Sequence, residues 1–107
     1  MRKLASCTGI AGLLLAGLAV AADKPDAAKG KDTFEQCSVC HNTDTDEKKI
    51  GPSLKGLFKH AALKNGKKVT EENVKAFINS GGNGMPSYAD LLSETEKTNV
   101  IAYLKTL

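Results

Sequence analysis

A chain of 107 residues with no tryptophan and five aromatic residues has room for one small domain and only a thin core of its own. Its formal net charge of +3 is too weak a basic excess for a nucleic-acid binder. Even that excess sits partly at the very start, where Arg2 and Lys3 face no nearby acid.

Met1-Arg2-Lys3 is followed by an almost wholly small or apolar run from Leu4 to Val20. Ala19-Val20-Ala21 then supplies small residues in the pattern of a signal peptidase site, and charged residues begin at Asp23. This order predicts a secretory signal peptide over residues 1–22, cut after Ala21 or Ala22, and a domain over 23–107. The expected location is periplasmic or secreted. An uncut segment would act instead as an N-terminal membrane anchor, although the run falls short of the ~20 residues that span a bilayer comfortably. Leu4-Ala5-Ser6-Cys7 looks like a lipoprotein box, but its apolar segment follows the cysteine where it should precede it. Without the leader the basic residues fall from 15 to 13 against 12 acidic ones, and the net charge falls from +3 to +1.

Asp26 is a good helix N-cap, stiffened by Pro25, and Ala27, Gly30, Phe34 and Cys37 then fall on one helical face. Gly30 weakens such a helix, so it points to the close approach of another backbone. Asn42 to Lys49 is polar and reads as a loop; Gly51-Pro52 marks a turn; Ser53 to Phe58 is a candidate short helical piece. Asn65-Gly66 marks a further turn. Thr70 caps a second helix with Glu71 and Glu72 in its first turn and Val74, Phe77 and Ile78 as its apolar stripe, ending at Gly81-Gly82. Ser93-Glu94-Thr95-Glu96 is a capping box for the last helix, whose stripe is Val100, Tyr103, Leu104 and Leu107. Strand-like alternation is missing, so the expected fold class is all-α, with three main helices and a long loop-rich middle.

Cys37-Ser38-Val39-Cys40-His41 carries the chemistry. The two thiols and the imidazole stand at i, i+3 and i+4, so one helical turn aims all three to the same side. C-x-x-C-H is the pattern of c-type haem attachment. Two thiols add across the haem vinyl groups, and the next imidazole becomes a nitrogen ligand to the iron. A thioredoxin-like dithiol would need a βαβ setting with the pair opening a helix, whereas here the pair is expected to close one. A structural zinc site would need four ligands; Cys37, Cys40, His41 and His60 could supply them, at a spacing that fits no familiar finger. A Cys37–Cys40 disulfide would close too small a loop to stabilise much.

Met85 is the single methionine left once the leader is removed, and it stands in Gly81-Gly82-Asn83-Gly84-Met85-Pro86 rather than on a helical stripe. The glycines let that loop lie close over a flat ligand, and a thioether on iron favours the reduced state. Met85 is therefore the expected second iron ligand. His60 is its competitor and would give a bis-histidine haem of lower potential. A labile sixth position would instead suit a haem enzyme or gas sensor. Lys55, Lys59, Lys64, Lys67 and Lys68 make the middle of the chain basic, either as a solvated face or as a surface that steers an acidic partner.

Taken in order, Cys37 to His41, Gly51 to Phe58, Met85-Pro86 and Ile101 to Lys105 resemble the class I single-haem cytochromes c of the short bacterial type, over about Asp26 to Leu107. The resemblance implies a cytochrome c fold, with three main helices and loops wrapped around one covalently attached haem. It implies a monomeric electron carrier, not an enzyme, serving redox protein partners such as a reductase, oxidase or dehydrogenase. It implies a close crossing of the first and last helices, with Gly30 and Phe34 facing Val100 and Tyr103. It also implies that the backbone carbonyl of Pro52 accepts a hydrogen bond from His41. The chain departs from longer members at His60, where they have arginine, and in lacking the tryptophan that helps hold a haem propionate; the resemblance therefore assigns no propionate contacts.

Overall fold

Helices form where the sequence supplies caps. In the computed structural model, which describes residues 24–107, Asp26 is extended and its carboxylate accepts the Lys29 N–H at 3.1 Å, opening α1 over Ala27–Phe34. The Thr70 hydroxyl accepts the Asn73 N–H at 3.0 Å and opens α2 over Glu71–Ser80. Ser93 and Glu96 cap reciprocally, at 3.1 and 2.8 Å, and open α3 over Glu94–Leu104. A side-chain cap of this kind contributes about 1 kcal/mol. Among the described residues there is no strand; two isolated antiparallel bridges join Ala62 to Lys68 and Gly82 to Met85. The expected leader, with Cys7, lies outside the described residues.

Two boundaries differ from the sequence reading. α1 stops at Phe34 rather than running through Cys37. Its ladder gives way to tighter bonds, Glu35 N–H to Asp32 O at 3.2 Å and Cys37 N–H to Phe34 O at 2.7 Å, while the Ser38 hydroxyl turns back onto Glu35 O. Such i→i−3 bonds and a competing hydroxyl are what end a helix without a glycine. The helical piece expected over Ser53 to Phe58 is a single 3₁₀ turn, Leu57–Lys59. Ser53 is occupied by bonds to Asn42 and Thr45, and Gly56 at φ 65° breaks any helix before it.

The core is one cluster of Phe34, Leu57, Val74, Val100, Ile101 and Leu104. It is built on the crossing of α1 with α3, the principal helix–helix contact. Gly30 lies directly on α3: a Cβ there would stand 1.9 Å from the Asn99 carbonyl oxygen. The Asn99 side chain, buried, accepts the Asp26 N–H at 2.8 Å and ties the start of α1 to the same spot. Phe34 packs against Tyr103 with ring centroids 5.3 Å apart and planes tilted by 56°, an arrangement that adds to simple area burial. Of the stripe expected on α2, only Val74 is fully buried; Phe77 and Ile78 are half-buried because they face a central cavity.

α3 also buries Lys97, whose ammonium donates to Ala89 O at 3.1 Å and to Glu94 at 3.0 Å. Lys75 from α2 pairs with the same carboxylate. Hydrogen bonds from Lys75 first, and Lys97 second, hold the Glu94 carboxyl below the usual range.

Two stability measurements test this packing. Gly30→Ala gains about 1 kcal/mol of helix propensity but drives a methyl into backbone that cannot retreat; denaturant unfolding should show a net loss of about 2 kcal/mol. Because the Glu94 pKa is depressed on folding, its contribution is complete above the ordinary carboxylate range and is lost as pH falls through the lowered pKa. Glu94→Gln should therefore lower the urea midpoint at neutral pH, and the gap to wild type should close on acidification.

Candidate cofactor site

Beyond α1 the chain makes one further helical turn on its own. The Cys37 carbonyl accepts both the Cys40 and the His41 N–H at 3.0 Å, which brings the two thiols and the imidazole onto one side of that turn. Cys37 and Cys40 are unpaired thiols, each half-buried. Burial pushes the Cys37 thiol above its usual range, and the neighbouring Cys40 adds to the shift. The same effects raise Tyr88, burial first and the two cysteines after it.

His41 is fixed from behind. Its Nδ1 lies 2.7 Å from the Pro52 carbonyl oxygen. A carbonyl only accepts, so Nδ1 is the donor in this contact and Nε2 is the ring nitrogen turned to other partners. Residues 49–52 wrap this ring: the Gly51 N–H donates to Cys40 O at 2.7 Å and the Lys49 N–H to Gly51 O at 3.0 Å. Gly51 leaves the imidazole its place, since a Cβ there would meet His41 Cε1 at 2.7 Å. The turn at Gly51-Pro52 was readable from sequence; the contact of Gly51 with the ring was not, because nothing local to Gly51 encodes it.

Met85 closes a two-residue hairpin. The Gly82 N–H donates to Met85 O at 2.9 Å and the Met85 N–H to Gly82 O at 3.0 Å, across Asn83 and Gly84, which both have positive φ (54° and 92°). Two positive φ values define the turn that favours Asn-Gly. Gly81, at φ 66°, lets the chain double back: a Cβ there would strike the Met85 carbonyl oxygen at 2.5 Å. The returning chain is strapped to α2 by the Tyr88 N–H, which donates to Ile78 O at 2.9 Å, and by the Ser87 hydroxyl, which donates to Asn79 O.

These pieces converge. Cys37, Cys40, His41, Pro52 and Met85 all line one cavity of about 1020 Å³, walled by Leu57, Val74, Phe77, Ile78 and Leu104. That volume is at the top of the range for small-molecule and cofactor sites, ~300–1,000 Å³. His60 is exposed and lines the same cavity. Among the described residues no three or more His, Cys, Asp or Glu side chains come together as a metal cluster, so the four-ligand zinc arrangement does not form. A flat, largely apolar group with two thiol-reactive substituents and a metal needing a nitrogen and a sulfur ligand fits these walls and donors.

Comparison with known proteins points the same way. The family described as cytochrome c oxidase, cbb3-type, subunit III matches residues 25–104. A cytochrome c2 of Blastochloris viridis is 35% identical, over 98% of this chain and 93% of its own. A cytochrome c2 of Rhodopseudomonas palustris is 29% identical, over 77% of this chain and 98% of its own. Among solved structures, cytochrome c6 from the diatom Phaeodactylum tricornutum superposes with a TM-score of 0.61 at 26% identity, covering 76% of this chain and 92% of its own. Cytochrome cH from Methylobacterium extorquens gives 0.57 at 27%, covering 77% and 99%.

The fit between Gly51 and the imidazole is directly testable. Gly51→Ala should push the His41 ring off the Pro52 carbonyl, read as loss of the hydrogen-bonded Nδ1 proton resonance. If the resonance persists unshifted, Gly51 does not hold the ring in place.

Proposed function

Because the chain belongs to the class I c-type cytochromes, we propose that it is a periplasmic single-electron carrier with one haem, joined to Cys37 and Cys40 by thioether bonds and ligated by His41 and Met85. Its likeness to cytochromes c2, c6 and cH makes it an electron-transfer haem protein, a carrier and not an enzyme. The finer assignments are our reading. The observation that carries them is the cavity shared by Cys37, Cys40, His41 and Met85, with Nδ1 of His41 committed to Pro52 and Nε2 left free.

When bound, the haem supplies an iron that cycles between two oxidation states. The protein residues do the rest. The Pro52 carbonyl orients the His41 ring and raises its basicity by accepting a hydrogen bond from Nδ1–H, as outer partners of metal ligands do. The Gly82–Met85 hairpin presents a soft thioether, which favours the reduced state and raises the potential. Val74, Phe77, Ile78 and Leu104 give the cavity apolar walls. Holding both ligands through the redox change keeps structural rearrangement small, which suits a relay. Redox protein partners would meet the open side of the cavity. We assign residues 1–22 to a cleaved export leader and 23–107 to a monomeric domain. No described helix is long and apolar enough to cross a membrane.

Exported protein made with a cytochrome maturation system should have the mass of the chain from Ala22 or Asp23 plus one haem. Its oxidised spectrum should show the weak red band of thioether–iron bonding. Met85→Ala should lose that band and shift the potential downward, while His60→Ala should keep it. Survival of the band in Met85→Ala, or its loss in His60→Ala, would overturn the ligand assignment in favour of His60 or another donor.

A further inference from the structure

The chain contains two Asn-Gly pairs, and the fold treats them oppositely. At Asn65-Gly66 both groups needed for backbone cyclisation are engaged: the Asn65 side-chain oxygen accepts the Lys67 N–H at 3.0 Å, and the Gly66 N–H donates to Leu63 O at 2.9 Å. At Asn83-Gly84 the hairpin bonds belong to Gly82 and Met85. The Gly84 N–H makes no hydrogen bond among the described residues, and neither does the Asn83 side chain. Exposure does not separate the two pairs, since all four residues face solvent. Crowding does not separate them either: the space beside Gly66 and beside Gly84 is open within 4 Å. The difference is hydrogen bonding.

We propose that Asn83 is a site of spontaneous deamidation at the tip of the hairpin that carries Met85. Solvent base removes the Gly84 amide proton, and that nitrogen attacks the side-chain carbonyl carbon of Asn83. A C–N bond forms, and the side-chain amide nitrogen takes a proton from solvent and leaves as ammonia. Water then opens the five-membered succinimide at either carbonyl. The product is aspartate or, with one extra methylene in the backbone, isoaspartate. The sum is amide plus water to acid plus ammonia, with no oxidant or cofactor required. Glycine on the C-terminal side makes the attack feasible because its nitrogen is not shielded by a Cβ. The new carboxylate stands on the cavity rim, two residues before Met85. Negative charge there favours the oxidised metal. That consequence rests on the proposed Met85 ligation; the modification itself rests on the hairpin alone.

The test is peptide mapping of the purified holoprotein after prolonged incubation in warm, mildly alkaline buffer, with enzymatic labelling of isoaspartate. Asn83 should convert several-fold faster than Asn65, which serves as the internal control, and Asn83→Gln should abolish conversion in its peptide. In urea the two rates should become similar. An intact Asn83, conversion at Asn65 as fast as at Asn83, or a preference that persists in urea would each overturn the proposal. Asn83→Asp, made directly, should have a lower reduction potential than wild type. Conversion at Asn83 with an unchanged potential upholds the modification and counts against its effect on the metal alone.

Discussion

Gly30 against the Asn99 carbonyl sets the distance between α1 and α3, and the cavity inherits that distance. α1 passes directly into the turn that holds Cys37 and His41, and α3 contributes Leu104 to the cavity wall. Any side chain at position 30 would push the two helices apart. The Asn99 amide, bonded to the start of α1, and the Phe34–Tyr103 contact, one turn further on, hold the crossing at both sides of that point. The site is therefore positioned by a backbone contact several residues away from any of its own donors.

The same architecture divides the apolar side chains between the packed cluster and the cavity. Val74, Leu104 and Leu57 belong to both the packed cluster and the cavity wall, and Ile78 packs on the cluster while it lines the cavity beside Phe77. For a domain of about 85 residues, the protein surface alone buries too little to be comfortable. A bound apolar group would complete this core and add its binding free energy to folding stability. Cofactor attachment and fold stability are in this sense one problem. The apolar walls of the site are the ones that need covering.

The sequence disclosed this design unevenly. Asp26, Thr70 and the Ser93–Glu96 box were legible because caps are local chemistry, and each opens its helix as expected. Gly30 was legible as a close approach because a glycine inside an amphipathic stripe has few other reasons to be there. Its partner was not, since Asn99 meets it 69 positions away through its backbone, which carries no side-chain signature. α1 ends three residues before its apolar periodicity does: the periodicity continues to Cys37, but Ser38 and the tightened carbonyl bonds decide the boundary. The burial of Lys97 was also hidden, because a lysine on a helix next to Glu94 reads as a solvated pair until Ala89 folds over it.

The two proposed ligands are held by unlike means, and this asymmetry bears on how the site behaves. His41 sits in a knot of short backbone bonds that includes Cys40, Gly51 and Pro52, with a glycine pressed against its ring. Moving it requires the 49–52 loop to lift away from the α1 extension. Met85 hangs on a two-residue hairpin whose tip is exposed and whose neighbours are glycines. Few apolar contacts anchor that tip, so its opening free energy lies at the low end of the range found within one fold. Exchange or loss of a ligand would therefore begin on the Met85 side, and the Tyr88 and Ser87 bonds back to α2 set how far the loop can swing before the helix itself is disturbed. The rigid side defines the axis of the site, and the compliant side is the one through which its potential and its chemical ageing can be altered without unfolding the core.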